Sequence, residues 1–223
     1  PRQIGGENSV EDSEDSLMRD RRAGIVIAGL LLLFVAHAAW GGPPMEQLRG
    51  SIEKVLKTVD GPALKGNGKV KERRMAVRTV ANNIFDFTET AKRALGSHWQ
   101  GRTEEEREEF VKLFADLLEH SYIAKIERYE GENIQYAGEQ LDGDYATVQT
   151  KLLTKQGQAV QIDYQMFRRG DRWLVYDVVI EGVSLISNYR GQFNKIIQTS
   201  SYEELVKKLK AKQKEFLEKD AKG

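Results

Sequence analysis

Between residues 45 and 129 apolar positions recur every three to four residues; between 134 and 181 they recur every second residue. The chain thus divides into a helical stretch, a sheet, and a return to the helical period beyond residue 184. Leu48, Ile52, Val55, Leu56 and Val59 form one stripe, which predicts an amphipathic helix over 45–60 ended by Gly61-Pro62. Val70, Val77, Val80 and Ile84 carry the period toward Leu95, in one helix or two, with Asp86 as the N-cap of the second piece and Gly96 as its end. Thr103 and Glu106 have capping-box spacing and open a long helix to about residue 128, with Phe110, Leu113, Phe114, Leu117 and Leu118 on its apolar face.

The alternating region predicts four strands in a meander, with turns at Asp142-Gly143, Gln156-Gly157 and Gly170-Asp171. Ile162, Tyr164 and Met166 face one way; Gln161, Asp163 and Gln165 face the other. A three-residue loop over 155–157, with Gly157 in the left-handed position, pairs Leu152 with Val160 and Val148 with Tyr164. The last hairpin has two readings. A two-residue turn puts Val175 opposite Met166 and Asp177 opposite Tyr164, whereas a longer loop turns Tyr176, Val178 and Ile180 onto that face. The fourth strand is apolar on both faces, so both sides need cover. Two helices follow: one over 184–198 carrying Ile186, Tyr189 and Phe193, and a Lys-rich one opened by the Ser201/Glu204 capping box.

The N-terminus departs from this scheme. Residues 1–17 are polar, acidic and aperiodic, and are read as an upstream or disordered segment. Arg19, Arg21 and Arg22 precede a 14-residue apolar run from Ala23 to Ala36, and Ala36-His37-Ala38 has the small-x-small form of a cleavage site. Residues 18–38 therefore read as a secretory signal peptide, too short for a membrane span of about 20 apolar residues. Residues 39–223 are the expected single folded domain, with 30 Lys and Arg against 28 Asp and Glu. Such a balance argues against a nucleic-acid binder held by phosphate contacts. The absence of Cys from all 223 residues excludes thiol catalysis, disulfides and lipidation of an N-terminal Cys.

Chemistry has few candidates. His98 and His120 are the only histidines beyond the leader and have no metal-ligand spacing. Asp163, Asp177 and His98 are the groups available for acid–base work inside a cone of helices on a curved sheet, and a structural role as hydrogen-bonded carboxylates competes with that reading. The stronger feature is apolar surplus. Val148, Leu152, Ile162, Tyr164, Met166 and either Val175 or Val178 line one sheet face, with Phe110, Phe114, Leu117 and Leu118 set opposite. Packed and hollow apolar interiors look alike in sequence, so a solid core and a ligand cavity both remain open.

The segment from Trp173 to Phe193, WLVYDVVIEGVSLISNYRGQF, closely resembles the signature of the MlaC family of periplasmic phospholipid-binding, or toluene-tolerance, proteins. Ala94-Leu95-Gly96 with Trp99, and Phe110 to Leu118, resemble its preceding helices. The resemblance implies an α+β fold: an NTF2-like curved four-stranded antiparallel meander, packed with a mainly helical N-terminal part and C-terminal helices. It implies a monomeric, non-enzymatic periplasmic carrier with no cofactor beyond a phospholipid cargo. The implied partners are an outer-membrane lipoprotein–porin complex and an inner-membrane ABC transporter with an MCE-domain subunit. A related branch makes a hopanoid an alternative cargo. On this reading the lipid site comprises Val148, Leu152, Ile162, Tyr164, Met166, Val175, Val178, Ile180, Val183, Ile186, Tyr189, Phe110 and Phe114, with Arg190 and Lys195 as headgroup or partner contacts.

Overall fold

In a computed structural model, residues 42–61, 69–126, 129 and 131–222 are described. The expected upstream segment 1–17 and signal peptide 18–38 lie outside them. Among the described residues no helix is long and apolar enough to cross a membrane.

The first helical stripe forms α1 (Pro43–Asp60), with proline in its first turn, where a missing N–H costs nothing. Its orphan N-terminal donors are met from the sheet: Glu139 Oε1 accepts from Gly42 N at 3.1 Å and Oε2 from Met45 N at 2.7 Å. The second stripe breaks into α2 (Val70–Ile84) and α3 (Phe87–Leu95). The break occurs because Asp86 turns its side chain to Glu89 N at 2.8 Å and its own N–H to Val175 O at 3.0 Å. Gly96 closes α3 with φ +57°, a conformation that favours glycine. A short 3₁₀ turn (Gly96–Trp99) leads to α4 (Glu104–Ile126). Both halves of its capping box form: Thr103 N donates to Glu106 Oε2 at 2.9 Å, and Glu106 N to Thr103 Oγ1 at 3.3 Å.

The meander consists of β1 (Asn133–Asp142), β2 (Tyr145–Leu153), β3 (Ala159–Arg169) and β4 (Arg172–Ile180), paired in chain order. The expected four strands gain a fifth, because β5 (Val183–Ser184) folds back onto Val179 and Ile180. The β2–β3 pairing sets Leu152 against Val160 and Val148 against Tyr164, and Gly157 has φ +79°, as the three-residue loop requires. Each reading of the last hairpin holds in part: Val175 faces Met166 and Val178 and Ile180 turn inward, but Asp177 does not face Tyr164, and Tyr176 lies on the other face with Tyr145 and Phe167. Met166 faces Val175, as a two-residue turn dictates, but a bulge at Tyr176 then shifts the pairing, so Gln165 faces Asp177 and Tyr164 faces Val178. Trp173, Val175, Val178 and Ile180 thereby share the inward face despite their uneven spacing.

Helices α5 (Leu185–Thr199) and α6 (Tyr202–Lys222) complete the chain. Most of the α6 lysines are paired with nearby carboxylates. Lys207 and Lys208 reach Glu204, Lys212 and Lys219 reach Glu215, and Lys210 lies 2.6 Å from Glu109 on α4. This pattern fits the solvated-surface reading of that helix.

The buried residues do not merge into one core. One cluster joins α3, α4, α5 and α6 through Leu95, Phe110, Phe114, Phe193 and Leu205. A second joins α1 and the end of α2 to the inner sheet face through Leu48, Ile84, Val148, Met166 and Val175. A small third cluster, Val59, Val77 and Ile123, ties the α1–α2 hairpin to the far end of α4. Helix α4 packs on α3, α6 and α2, and makes no extended contact with the sheet among the described residues.

Candidate lipid-binding site

The site follows from that division. Residues inside the two large clusters have no accessible surface to offer a ligand. Val148, Met166, Val175, Phe110, Phe114 and Ile186 are packed against protein on all sides. Phe110 and Phe114 stack on each other and meet Phe193 edge-on, at centroid distances of 5.7 and 5.2 Å, within the helical cluster rather than across from the strands. Val183 is 59% exposed, since β5 turns it outward. Of the lining expected from sequence, Leu152, Ile162, Tyr164, Val178, Ile180 and Tyr189 keep partial exposure while lying on inward positions.

Tyr164 is the most informative of these. Burial pushes its phenol well above the ordinary tyrosine value of 10.0, so the ring sits deep among protein atoms. The side chain nevertheless retains accessible surface, and among the described residues its hydroxyl has no hydrogen-bond partner. Tyr164 thus packs against the sheet-side cluster while part of its surface is left uncovered by the protein. Tyr136, beside it on β1, is half-buried and its phenol is pushed up to about 12 by burial. Val55 of α1 packs on both the sheet-side cluster and the small third cluster, and Ile52 and Val80 flank it. From the other side come Leu117, Leu118 and Tyr189, half-buried on the edge of the helical cluster. Burial raises the Tyr122 phenol, and the neighbouring Tyr189 adds to the effect.

Sequence reasoning omitted Ile52, Val55, Val80, Tyr122 and Tyr136. The α1 stripe marks Ile52 and Val55 as inward-facing, but periodicity carries no statement of which partner a helix packs on. Tyr136 lies beside a register shift at Gly138, where simple alternation fails.

The polar candidates are committed elsewhere. Asp177 accepts from Ser184 Oγ and, at 3.1 Å, from Ile186 N; it fastens the start of α5. Asp163 is bonded by Gln161 Nε2, and His98 Nε2 lies 2.9 Å from Asn194 Oδ1 on α5. Asp177 and His98 thus have separate partners, not each other. Arg190 Nε donates to Arg93 O at 2.7 Å, satisfying a carbonyl in the last turn of α3. Lys195 is exposed on α5. Among the described residues no group of three or more His, Asp or Glu side chains is arranged to hold a metal.

A family model, described as MlaC protein, matches residues 49–211. The chain belongs to the MlaC family. It is 29% identical over 140 residues to the intermembrane phospholipid transport system binding protein MlaC of Haemophilus influenzae. That match takes in 57% of this chain and spans 65% of the relative's length. The fold superposes with TM-score 0.71 on the phospholipid-binding protein of Ralstonia solanacearum, solved in complex with a phospholipid. That likeness covers 79% of this chain and 99% of the other, at 23% identity.

The tyrosines bordering the interior supply a test of its dryness. A raised phenol value means the fold prefers the neutral form, so the stability linked to it is present below pH ~10 and lost as pH rises toward and beyond 12. Of the eight tyrosines, Tyr136, Tyr164 and, in the helical cluster, Tyr202 are expected to be absent from the first phenolate absorbance step and to ionise only as the protein unfolds in alkali. Single Tyr→Phe variants assign the steps. Removal of amplitude near pH ~10 by Tyr164→Phe would show that water reaches the ring freely.

Proposed function

We propose that this protein is a periplasmic carrier of phospholipid. It holds the acyl chains in the apolar space between the inner sheet face and α4, and performs no chemical step. The observation that carries this reading is the set of half-buried apolar side chains left at the edges of two separate packed clusters, Tyr164 and Val178 on the sheet side and Leu117, Leu118 and Tyr189 on the helical side. Family membership and the phospholipid-binding relatives support it. The polar commitments of Asp177, Asp163 and His98 leave that interior without a paired acid and base.

The energetic case is simple. Two chains of about 15 methylenes each, at about 0.8 kcal/mol per methylene, cost roughly 24 kcal/mol to expose to water. A carrier that buries them removes most of that cost, and release then requires a partner that opens the interior or offers a competing one. The phosphate remains at the protein–water boundary, because burying it unpaired is prohibitive. Within the scheme the donor and acceptor are an outer-membrane lipoprotein–porin complex and an inner-membrane ABC transporter with an MCE-domain subunit. The signal-peptide pattern of residues 18–38 supports a position between them.

Native mass spectrometry of protein purified from its own periplasm, followed by solvent extraction, tests the proposal. One phospholipid per chain is expected. A polycyclic lipid in its place would reassign the cargo, and a protein free of lipid under gentle isolation would overturn the carrier reading.

A further inference from the structure

Charge is unevenly distributed along this nearly neutral chain. Between residues 54 and 78 there are eight Lys and Arg against two acidic residues, Asp60 and Glu72. The described part of this run lies on α1 and α2, which meet through Val59 and Val77, and Arg78 within it is paired with Asp116 and Glu119 of α4. Lys54, Lys57, Lys69 and Lys71 are exposed there. Lys69 pairs with Glu72 at 3.6 Å, while Lys54, Lys57 and Lys71 have no ion-pair partner among the described residues. The contrast with α6 is informative: that helix carries more lysines, and most of them are matched by neighbouring carboxylates. One turn beyond Lys71, on the same face, Met75 is 68% exposed, the most exposed large apolar side chain described. Lys125 adds a further exposed cation at the end of α4, next to Ile123 and Ile126, which pack on the same hairpin end.

We propose that this end of the α1–α2 hairpin is a docking surface for an anionic phospholipid bilayer. Unmatched lysines on both helices and an exposed thioether one turn from Lys71 supply the components of an interfacial helix face: cations for the headgroup level and one apolar side chain for the acyl boundary. Long lysine stems suit a fluid charged surface that rearranges to meet them, whereas an acidic protein groove favours the fixed fork of arginine. The location gives the contact a use. Val55 belongs both to this end and to the sheet-side interior, so a membrane bound here lies against the elements that wall the candidate cavity. Docking is nonetheless separable from cargo, because the charged side chains face outward.

Flotation with vesicles tests it, using the whole protein with its lipid content recorded by mass spectrometry. Binding is expected to phosphatidylglycerol-containing vesicles at low salt, to weaken as salt rises, and to be absent on phosphatidylcholine alone. Lys57→Glu with Lys71→Glu should lower binding at least about tenfold, and Lys57→Gln with Lys71→Gln by a smaller factor, with lipid content and circular dichroism unchanged. Met75→Ser should weaken binding by a few fold. Reversal of Lys207 and Lys208 on α6 should leave it unaltered. The proposal is overturned by a parent protein that ignores anionic vesicles at low salt, or by hairpin variants that bind as the parent does. It is equally overturned if reversal on α6 is as damaging. None of these results bears on whether the interior holds lipid, which the recorded lipid content reports separately.

Discussion

Replacing Val178 with Trp is expected to strip the purified protein of its lipid while leaving its circular dichroism and thermal midpoint close to those of the parent. Val178 stands opposite Tyr164 on the inward face of β4, just beyond the bulge, and keeps accessible surface. On the carrier reading an indole there takes up room meant for acyl chains, so it competes with cargo more than with neighbouring side chains. A tenfold loss of affinity needs only about 1.4 kcal/mol, and displacing several methylenes exceeds that. Native mass spectrometry would read the loss directly, and unchanged occupancy would remove Val178 from the site. The same change at Val148 has a different expected outcome. Val148 has no accessible surface and packs among Met45, Leu48, Met166 and Val175. Val148→Trp should therefore overpack the core, at about 1–3 kcal/mol or more, and lower the thermal midpoint whether or not lipid is bound.

Asp86→Ala is expected to be the most damaging single change outside the packed clusters, lowering stability by about 2–3 kcal/mol. Asp86 is buried and serves three elements at once. Its Oδ1 caps α3, its Oδ2 lies 2.8 Å from Arg169 Nη1 on β3, and its backbone N–H bonds Val175 O on β4. The ion pair contributes the smaller share, because Arg169 is largely exposed and its charge is screened. The cap contributes about 1–2 kcal/mol. Asp86→Asn keeps an oxygen for Glu89 N and should recover roughly half of the loss. At 2–4 °C per kcal/mol for a chain of this size, the alanine variant should melt roughly 4–12 °C below the parent. Equal melting of the alanine and asparagine variants would mean that the cap contributes nothing.

The same residue illustrates what the sequence makes legible. Asp86 is recognisable as an N-cap because capping is local: one side chain, three residues from its donor, at the end of an apolar period. The Thr103–Glu106 box, the Gly157 turn and the Ser184 start of α5 are legible for the same reason. The bulge at Tyr176 is not. It joins two registers, each of which satisfies half of the hairpin, and no local feature at Tyr176 marks the transition. The site is legible only in part, on similar grounds. Alternation correctly places Ile162, Tyr164 and Val178 on the inner face, but it places Val148 and Met166 there with equal force. Which of them borders a space depends on how far α1 and α2 reach across the sheet. Leu48 and Ile84 cover Val148 and Met166; the half of the sheet carrying Ile162 lies beyond the packed cluster. That distinction comes from tertiary packing, as does the capture of Arg190 by the carbonyl of Arg93.

The division of the interior into two clusters also bears on how the family can diverge. A side chain inside either cluster is held to one volume, since both a void and an excess methylene are costly. A side chain at the edge of a cluster keeps part of its surface uncovered, so its exchange for a larger or smaller apolar residue costs less than the same change inside. On the proposed site, drift at Ile162, Val178, Ile180 or Leu152 would retune which cargo fits at a smaller cost in stability than a change inside either cluster. Lineages that meet lipids of different girth can reach different specificities through single, low-cost steps.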